Sequence, residues 1–276
     1  MIRGTTQLCA VIGDPIAHTA SPCMHNEAYR VCGLDWAYVP LHVHPHCLED
    51  AMAGIKACGF RGVNVTVPHK ETVMPYLDHI DAYARHIGAV NTVVNQGGQW
   101  VGYNTDGLGF VSSLQYEKGE GIFTNKHVVL LGAGGSAKGI AFALLQTQMS
   151  RLTLINRTYH GAQCLQTQLN DSRVDSVQWE PLPETILAQC DIVIQTTPVE
   201  MTLGQRVLAH YEWIGSHHLC CDIVYKPDMT VFLTHAKKQG ASYINGKAML
   251  AGQGVLAFHL MTGHTVDYSV MRGTLG

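Results

Sequence analysis

Charge is scarce in this chain. Asp, Glu, Lys and Arg together make up 14 % of its 276 residues, the formal net charge is −3, and no basic block occurs. That excludes nucleic-acid binding driven by electrostatics. The nine cysteines include no C-x-x-C pair; they are scattered, odd in number, and include the adjacent Cys220-Cys221. Neither a disulfide framework nor a zinc ribbon follows from that pattern. Reduced thiols and a cytoplasmic location are the expectation. The sixteen histidines lack the H-E-x-x-H spacing, and no metal is expected. No long apolar run of the signal-peptide kind precedes Asp14-Pro15, so no signal peptide is expected, and no later run approaches the length of a membrane span. No internal repeat or low-complexity segment is present.

Apolar residues are plentiful at 46 %, enough for sizeable cores, and the length is comfortable for two domains. Leu8–Ile12 reads as a strand, and Ser21-Pro22 as a helix start, cap followed by first-turn proline, with a stop at Gly33. Ala37–Leu41 is a strand, Leu48–Cys58 a helix ending at Gly59, and Asp81–Ile87 a helix stopped by Gly88. Ala89–Asn95 and Trp100–Tyr103 flank Gln96-Gly-Gly-Gln99 as a β-hairpin. Thr105 or Asp106 is placed to cap a helix ending near Leu114, and polar Glu117–Asn125 suggests a linker. Beyond it, strands are expected at His127–Leu131, Arg151–Ile155, Asp191–Gln195, His218–Val224 and Ser242–Asn245. Helices are expected from the glycine loop to Thr147, at Gly161–Leu169 and Val231–Lys238, and over the long apolar Lys247–Met261. Strands alternating with helices argue for an α/β fold with mostly parallel sheet.

One stretch stands out, Gly62-Val-Asn-Val-Thr-Val-Pro-His-Lys70. Val63, Val65 and Val67 alternate with Asn64 and Thr66, the period of a strand. Pro68 forces Val67 into extended backbone and suits the first position of a helix running towards Leu77. Thr66 and Lys70 thus lie at the carboxyl end of a strand, where open α/β sheets bind ligands. A cation in a first helical turn opposes the macrodipole by about 0.3–1 kcal/mol, so Lys70 is either an exposed surface lysine or is held there for a purpose.

Gly132-Ala133-Gly134-Gly135-Ser136-Ala137 follows a strand and opens a helix within a βαβ unit, the context in which such a loop binds a dinucleotide. Gly132 permits the tight turn, Gly134 lets a pyrophosphate reach the backbone, and Ala137 lets helix and strand pack closely. The helix start favours the negative charge. At the end of the next strand an NAD site places an acid. This chain has Asn156-Arg157-Thr158, so no carboxylate repels a 2′-phosphate and Arg157 can pair with it. NADP is the expected cofactor.

With these residues in place, the chain resembles the shikimate dehydrogenase family over nearly its whole length. The motifs, in chain order, start with His18-Thr-Ala-Ser-Pro22 with His25-Asn26, Asn64-Val-Thr-Val-Pro-His-Lys70, Gly88-Ala-Val-Asn-Thr92 and Asn104-Thr-Asp-Gly107. The glycine loop, Asn156-Arg-Thr158, Asp222-Ile-Val-Tyr225-Lys-Pro227 and Gly246-Lys-Ala-Met-Leu-Ala-Gly-Gln253 follow. The resemblance implies a reversible NADP-dependent reduction of 3-dehydroshikimate to shikimate, a step of aromatic amino-acid biosynthesis. It implies Lys70 and Asp106 as the catalytic pair, with Thr19, Ser21, Thr66, Asn91, Tyr225 and Gln253 lining the substrate site. Thr196 joins the cofactor-binding residues, and Ile223 and Gly246 lie beside the nicotinamide end. It also implies a substrate-binding domain over 1–106, a Rossmann-type domain over 107–245, and C-terminal helices over 246–276 returning to the first domain, with a cleft between the two domains. The expected partner is the small-molecule substrate, with no nucleic acid or membrane; monomer and homodimer stay open.

The candidate residues also have plainer readings. Asp106 and Ser21 can be helix caps, Thr66 a strand residue, Asn91 a turn former and Arg157 a loop residue. Three positions depart from the family pattern. Thr19 stands where many members have serine, Gly161 where some carry a second basic residue, and Glu200 where glycine is usual. The alternative functions are a quinate or dual quinate/shikimate dehydrogenase accepting NAD, a folate-linked dehydrogenase, and a non-catalytic dinucleotide or shikimate sensor.

Overall fold

Apolar side chains alternate to both faces of nearly every central strand, and this sets the layering. The computed structural model describes residues 2–199, 207–208 and 210–276. They fall into two units, Met1–Gly109 with Leu250–Gly276, and Phe110–Met249.

In the first unit β1 (Gln7–Gly13) lies between β2 (Trp36–His42) and β3 (Gly62–Val65), parallel to both. β5 (Thr92–Gln96) pairs antiparallel with β3 and with β6 (Gln99–Tyr103); β4 (His79–Ile80) closes the far edge, giving the order β2-β1-β3-β5-β6-β4. The hairpin turn is Gly97-Gly98, both at positive φ (63° and 90°), as a two-residue turn demands. Along β1, Ala10 and Ile12 face a core formed with Leu48, Met52 and Ile55 of α2 (Leu48–Ala57). Cys9 and Val11 face the opposite core, with Met24 and Ala28 of α1 (Ser21–Val31) and Phe258 and Met261 of α10 (Gly246–Thr262). A strand buried on both faces reads as a continuous apolar run, which is how Leu8–Ile12 reads. α11 (Tyr268–Gly273) also packs here, through Tyr268 and Met271.

The second unit is a six-stranded, all-parallel sheet in the order β12-β11-β10-β7-β8-β9. The strands are β7 (His127–Leu131), β8 (Arg151–Asn156), β9 (Val174–Gln178), β10 (Ile192–Gln195), β11 (Leu219–Asp222) and β12 (Ser242–Ile244). Numbered within the unit this is the doubly wound order 3-2-1-4-5-6, with its switch point between β7 and β10. Val128 and Leu130 enter one core, with α6 (Gly135–Leu145) and α7 (Tyr159–Leu169); Val129 and Leu131 enter the other, with α9 (Val231–Lys238).

Several boundaries differ from expectation. α5 (Asp106–Lys118) runs past Leu114 and takes in the start of the expected linker. α5 and α10 each begin in one unit and end in the other, so the divisions fall inside these helices and not at 106/107 and 245/246. Close packing explains this at the α5 end. A Cβ on Gly109 would strike the backbone of Gln253, so the first turn of α5 belongs with α10. Ser21 is not a cap: Ala20 holds that position and no side chain caps α1. Beyond Pro68, which is the N-cap and not the first helical residue, the helix is one turn, α3 (His69–Thr72), followed by a 3-10 turn over Met74–Tyr76. β4, β9, α8 (Glu184–Gln189) and α11 were not expected. They are short, and β9 is an edge strand with a mostly half-buried, polar sequence that shows no clear period.

His25 of α1 is fully buried, stacked on Tyr38 with centroids 4.3 Å apart, and neither ring nitrogen has a hydrogen-bond partner. Burial pushes its pKa down from 6.5 to about 3. The folded chain therefore takes up no proton at His25 between these values, while the unfolded chain does. Stability is present above pH 6.5 and falls as the pH drops towards 3, by about 1.4 kcal/mol per unit for this group. Urea unfolding between pH 7 and pH 5 should show that slope, reduced by one proton's worth in His25→Phe.

Candidate active site

The turn after β3 is pinned from several sides. The Thr66 N–H donates to the Ile12 carbonyl (3.0 Å), and the Asp14 N–H to the Val67 carbonyl (3.0 Å). His69, fully buried, bonds the Val43 carbonyl through Nε2 at 2.7 Å. The Lys70 carbonyl accepts from the Val90 N–H at 2.8 Å. Lys70 thereby reaches the first residue of α5, and its Nζ lies 2.6 Å from Asp106 Oδ2. α3, at one turn, is too short to build a macrodipole for Lys70 to oppose; the position of Lys70 answers to Asp106 instead.

Asp106 is not acting as a helix cap through its side chain. Its carboxylate takes Lys70 on one oxygen and Asn91 Nδ2 (2.8 Å) on the other. The local turn is made by Asn104, whose Oδ1 accepts from the Asp106 N–H at 3.1 Å. Asn91 is 3 % exposed and spends both amide hydrogens, on Asp106 and on Thr105 Oγ1 (3.0 Å). Its Oδ1 accepts from the Thr105 N–H (2.8 Å), with the Thr92 and Thr105 hydroxyls also within reach. Asn64 supports this layer, donating to the Asn91 carbonyl and to Thr92 Oγ1 while accepting from the Tyr38 hydroxyl at 2.7 Å. Asn64, Asn104, Thr92 and Thr105 were not singled out from the sequence for this role. The signal was there for two of them, since Asn64 and Thr92 are polar residues among apolar ones on strands that bury both faces; Asn104 and Thr105 lie in the short connection between β6 and α5.

The other substrate candidates of this unit have capacity left. Thr66 is half-buried and its hydroxyl has no hydrogen-bond partner among the described residues. Thr19 Oγ1 lies 3.3 Å from Ser21 Oγ and from the Ser21 N–H, so the hydroxyl of this departure from serine anchors the start of α1. Gln253, 8 % exposed, donates to the Leu250 carbonyl within its own helix.

In the second unit Gly132 has φ +115°, and a Cβ there would meet the Thr196 hydroxyl. Thr196 is tied to the end of β7 by its Oγ1, 2.7 Å from the Leu131 carbonyl. The space over Gly134 and Gly135 is open: a Cβ at either position would have no atom within 4 Å. Gly134 is the N-cap of α6, no side chain caps this helix, and no acid occupies its first turn. Free N–H groups under open space at the switch point fit a pyrophosphate. Ala137 is buried against the strand, while Ala133 and Ser136 are half-buried beside the loop. Arg157 is exposed and has no hydrogen-bond or ion-pair partner among the described residues, which leaves it available to an anion. Asn156 Nδ2 donates to the Thr158 carbonyl at 2.8 Å. Gly161 fits this turn: a Cβ would come within 2.9 Å of Asn156 Nδ2, so a larger residue there requires the Asn156 amide to shift.

Ile223 and Tyr225 follow β11 on a loop held by buried Asp222, which accepts from the Val224 N–H (2.9 Å) and the Thr230 hydroxyl (2.8 Å). Burial raises the Tyr225 phenol above its ordinary range. Gly246 is compelled by packing, since a Cβ would overlap the Ile223 carbonyl. Glu200 and Met201 lie outside the described residues.

A doubly wound unit with an open glycine turn, in the same chain as a unit that pairs a lysine with a buried carboxylate, fits the class of dinucleotide-linked oxidoreductases. Family models for the shikimate dehydrogenase substrate-binding domain, for shikimate/quinate 5-dehydrogenase, and for the shikimate 5′-dehydrogenase C-terminal domain match residues 11–93, 116–212 and 248–275. The shikimate dehydrogenase (NADP(+)) of Desulforamulus reducens is 42 % identical over 99 % of this chain and 96 % of its own. The shikimate 5-dehydrogenase of Thermus thermophilus, solved with NADP(H) and shikimate, superposes with a TM-score of 0.88 at 32 % identity, covering 98 % of both chains. The quinate dehydrogenase of Corynebacterium glutamicum, solved with NAD, gives 0.87 at 30 % identity and the same coverage. The chain belongs to the shikimate dehydrogenase family.

Replacing Asn91 by leucine, similar in size, should unpair buried groups of Asp106 and Thr105 at about 1–3 kcal/mol for each group left unsatisfied. A lower urea midpoint with an unchanged m value would report this.

Proposed function

We propose that this chain catalyses the reversible NADPH-dependent reduction of 3-dehydroshikimate to shikimate. The observation that carries the reading is the 2.6 Å Lys70–Asp106 pair in a chain that also has an uncapped glycine turn for a dinucleotide. NADPH supplies the hydride when bound. The glycine turn and the start of α6 would hold its pyrophosphate, and Arg157 its 2′-phosphate.

Hydride arriving at the ketone carbon builds negative charge on the oxygen. The Lys70 ammonium polarises that oxygen and donates the proton that completes the alcohol. Asp106 orients Lys70 and accepts from a substrate hydroxyl, and Asn91 fixes the carboxylate so that it needs no reorganisation. Thr66, with a free hydroxyl, and Thr19, Ser21 and Gln253 supply partners for the remaining hydroxyls and the carboxylate. Because its amide is spent on Asp106 and Thr105, Asn91 serves the substrate chiefly through Asp106. Tyr225, and Ile223 with Gly246 at the nicotinamide end, complete the assigned set. An NAD-linked quinate activity is the competing reading, and the absence of an acid after β8 argues against its cofactor choice.

Lys70→Ala should lower kcat by about 10²–10⁴-fold while leaving NADPH affinity nearly unchanged; surviving turnover would remove Lys70 as proton donor. Arg157→Ala should raise the KM for NADP by roughly 10–100-fold, the range of a charge-assisted hydrogen bond, and leave NAD kinetics unaltered. Comparing kcat/KM for shikimate and quinate with both cofactors tests the whole assignment, which a higher value for quinate with NAD would overturn.

A further inference from the structure

Away from the catalytic pair, two imidazoles converge on one carboxylate. His42 Nε2 lies 2.7 Å from Asp14 Oδ1, and His44 Nδ1 lies 3.2 Å from Asp14 Oδ2. One ligand atom from each residue falls within 4.8 Å of the others. The backbone between them is what aims them. Val43 is buried, its N–H donates to the Gly13 carbonyl at 3.2 Å, and its own carbonyl accepts from His69. With Val43 turned inward, its neighbours on either side turn outward on the same side, towards Asp14. Asp14 is itself fixed by its N–H bond to Val67. His46, two residues further on, stacks parallel on His44 with centroids 5.6 Å apart. The pattern His42-Val-His44-Pro-His46 carries this in the sequence as histidine at every second position, a spacing distinct from H-E-x-x-H.

We propose that Asp14, His42 and His44 form a binding site for one transition-metal dication of the zinc, cobalt and nickel class. Two imidazoles and a carboxylate are a donor set suited to these ions and unlike the all-oxygen sets of calcium and magnesium. Bonds of about 2.0–2.2 Å to a tetrahedral ion put neighbouring ligand atoms roughly 3.3 Å apart. The two histidine–carboxylate separations need only a small opening to reach that, and the two imidazoles lie within 4.8 Å of each other, with the ion taking the place of the imidazole protons now shared with the carboxylate. Three protein ligands leave a fourth position for water or for His46. The site is separate from the catalytic residues and does not depend on the catalytic reading.

Titrating the full-length chain with Co²⁺ tests the proposal. The expected result is saturable uptake of one equivalent, with visible d–d absorption, no thiolate charge-transfer band, and loss of that uptake in His42→Gln/His44→Gln and in Asp14→Asn. Metal-free turnover of these variants, equal to wild type, serves as the check on folding. A thiolate band would assign the ion to cysteine and overturn the proposal, as would the absence of saturable uptake or uptake unchanged in the variants.

Discussion

A carboxylate that is almost fully buried must find partners for both of its oxygens, and around Asp106 that requirement organises a large part of the first unit. One oxygen takes the Lys70 ammonium and the other the Asn91 amide. Each partner comes from a different part of the sheet. Lys70 rides on the turn after β3, Asn91 stands just before β5, and Asp106 opens α5. A buried pair of this kind is costly when one member is missing and specific when both are present. The polar layer beneath it, Asn64, Thr92, Asn104 and Thr105, has its own hydrogen bonds satisfied within the protein. The pair is therefore held by groups that need not move when a substrate arrives.

The second unit is built by the opposite means. Its important positions are defined by missing side chains. Gly132 is pressed against Thr196, Gly134 and Gly135 leave open space over an uncapped helix start, and Gly161 makes room for the Asn156 turn. What this turn offers an anion is backbone N–H groups, so the information lies in where a Cβ cannot or must not be. No described helix is long and apolar enough to cross a membrane.

Much of this was legible in order along the chain. The alternation through Val63 and Val65, the Gly97-Gly98 turn, the glycine loop after His127–Leu131 and the Asn156-Arg157-Thr158 ending are local signals, and local physics writes them. Other features were hidden because they are set elsewhere. β9 and β4 are edge strands whose pairing, not their composition, makes them strands. Ser21 carries a cap's chemistry at a position that another residue fills.

The sequence by itself determined the α/β class, the dinucleotide turn, the preference for a 2′-phosphate and the candidacy of Lys70, because each depends on residue type and short spacing. Tertiary structure alone decided what those residues do to one another. Only the folding of β3, β5 and α5 into one unit sets Lys70 and Asn91 on the two oxygens of Asp106. The same folding closes α5 on α10 at Gly109 and brings Asp14 to His42 and His44 across neighbouring strands. Distances between segments far apart in the chain are fixed by packing, and no local pattern encodes them.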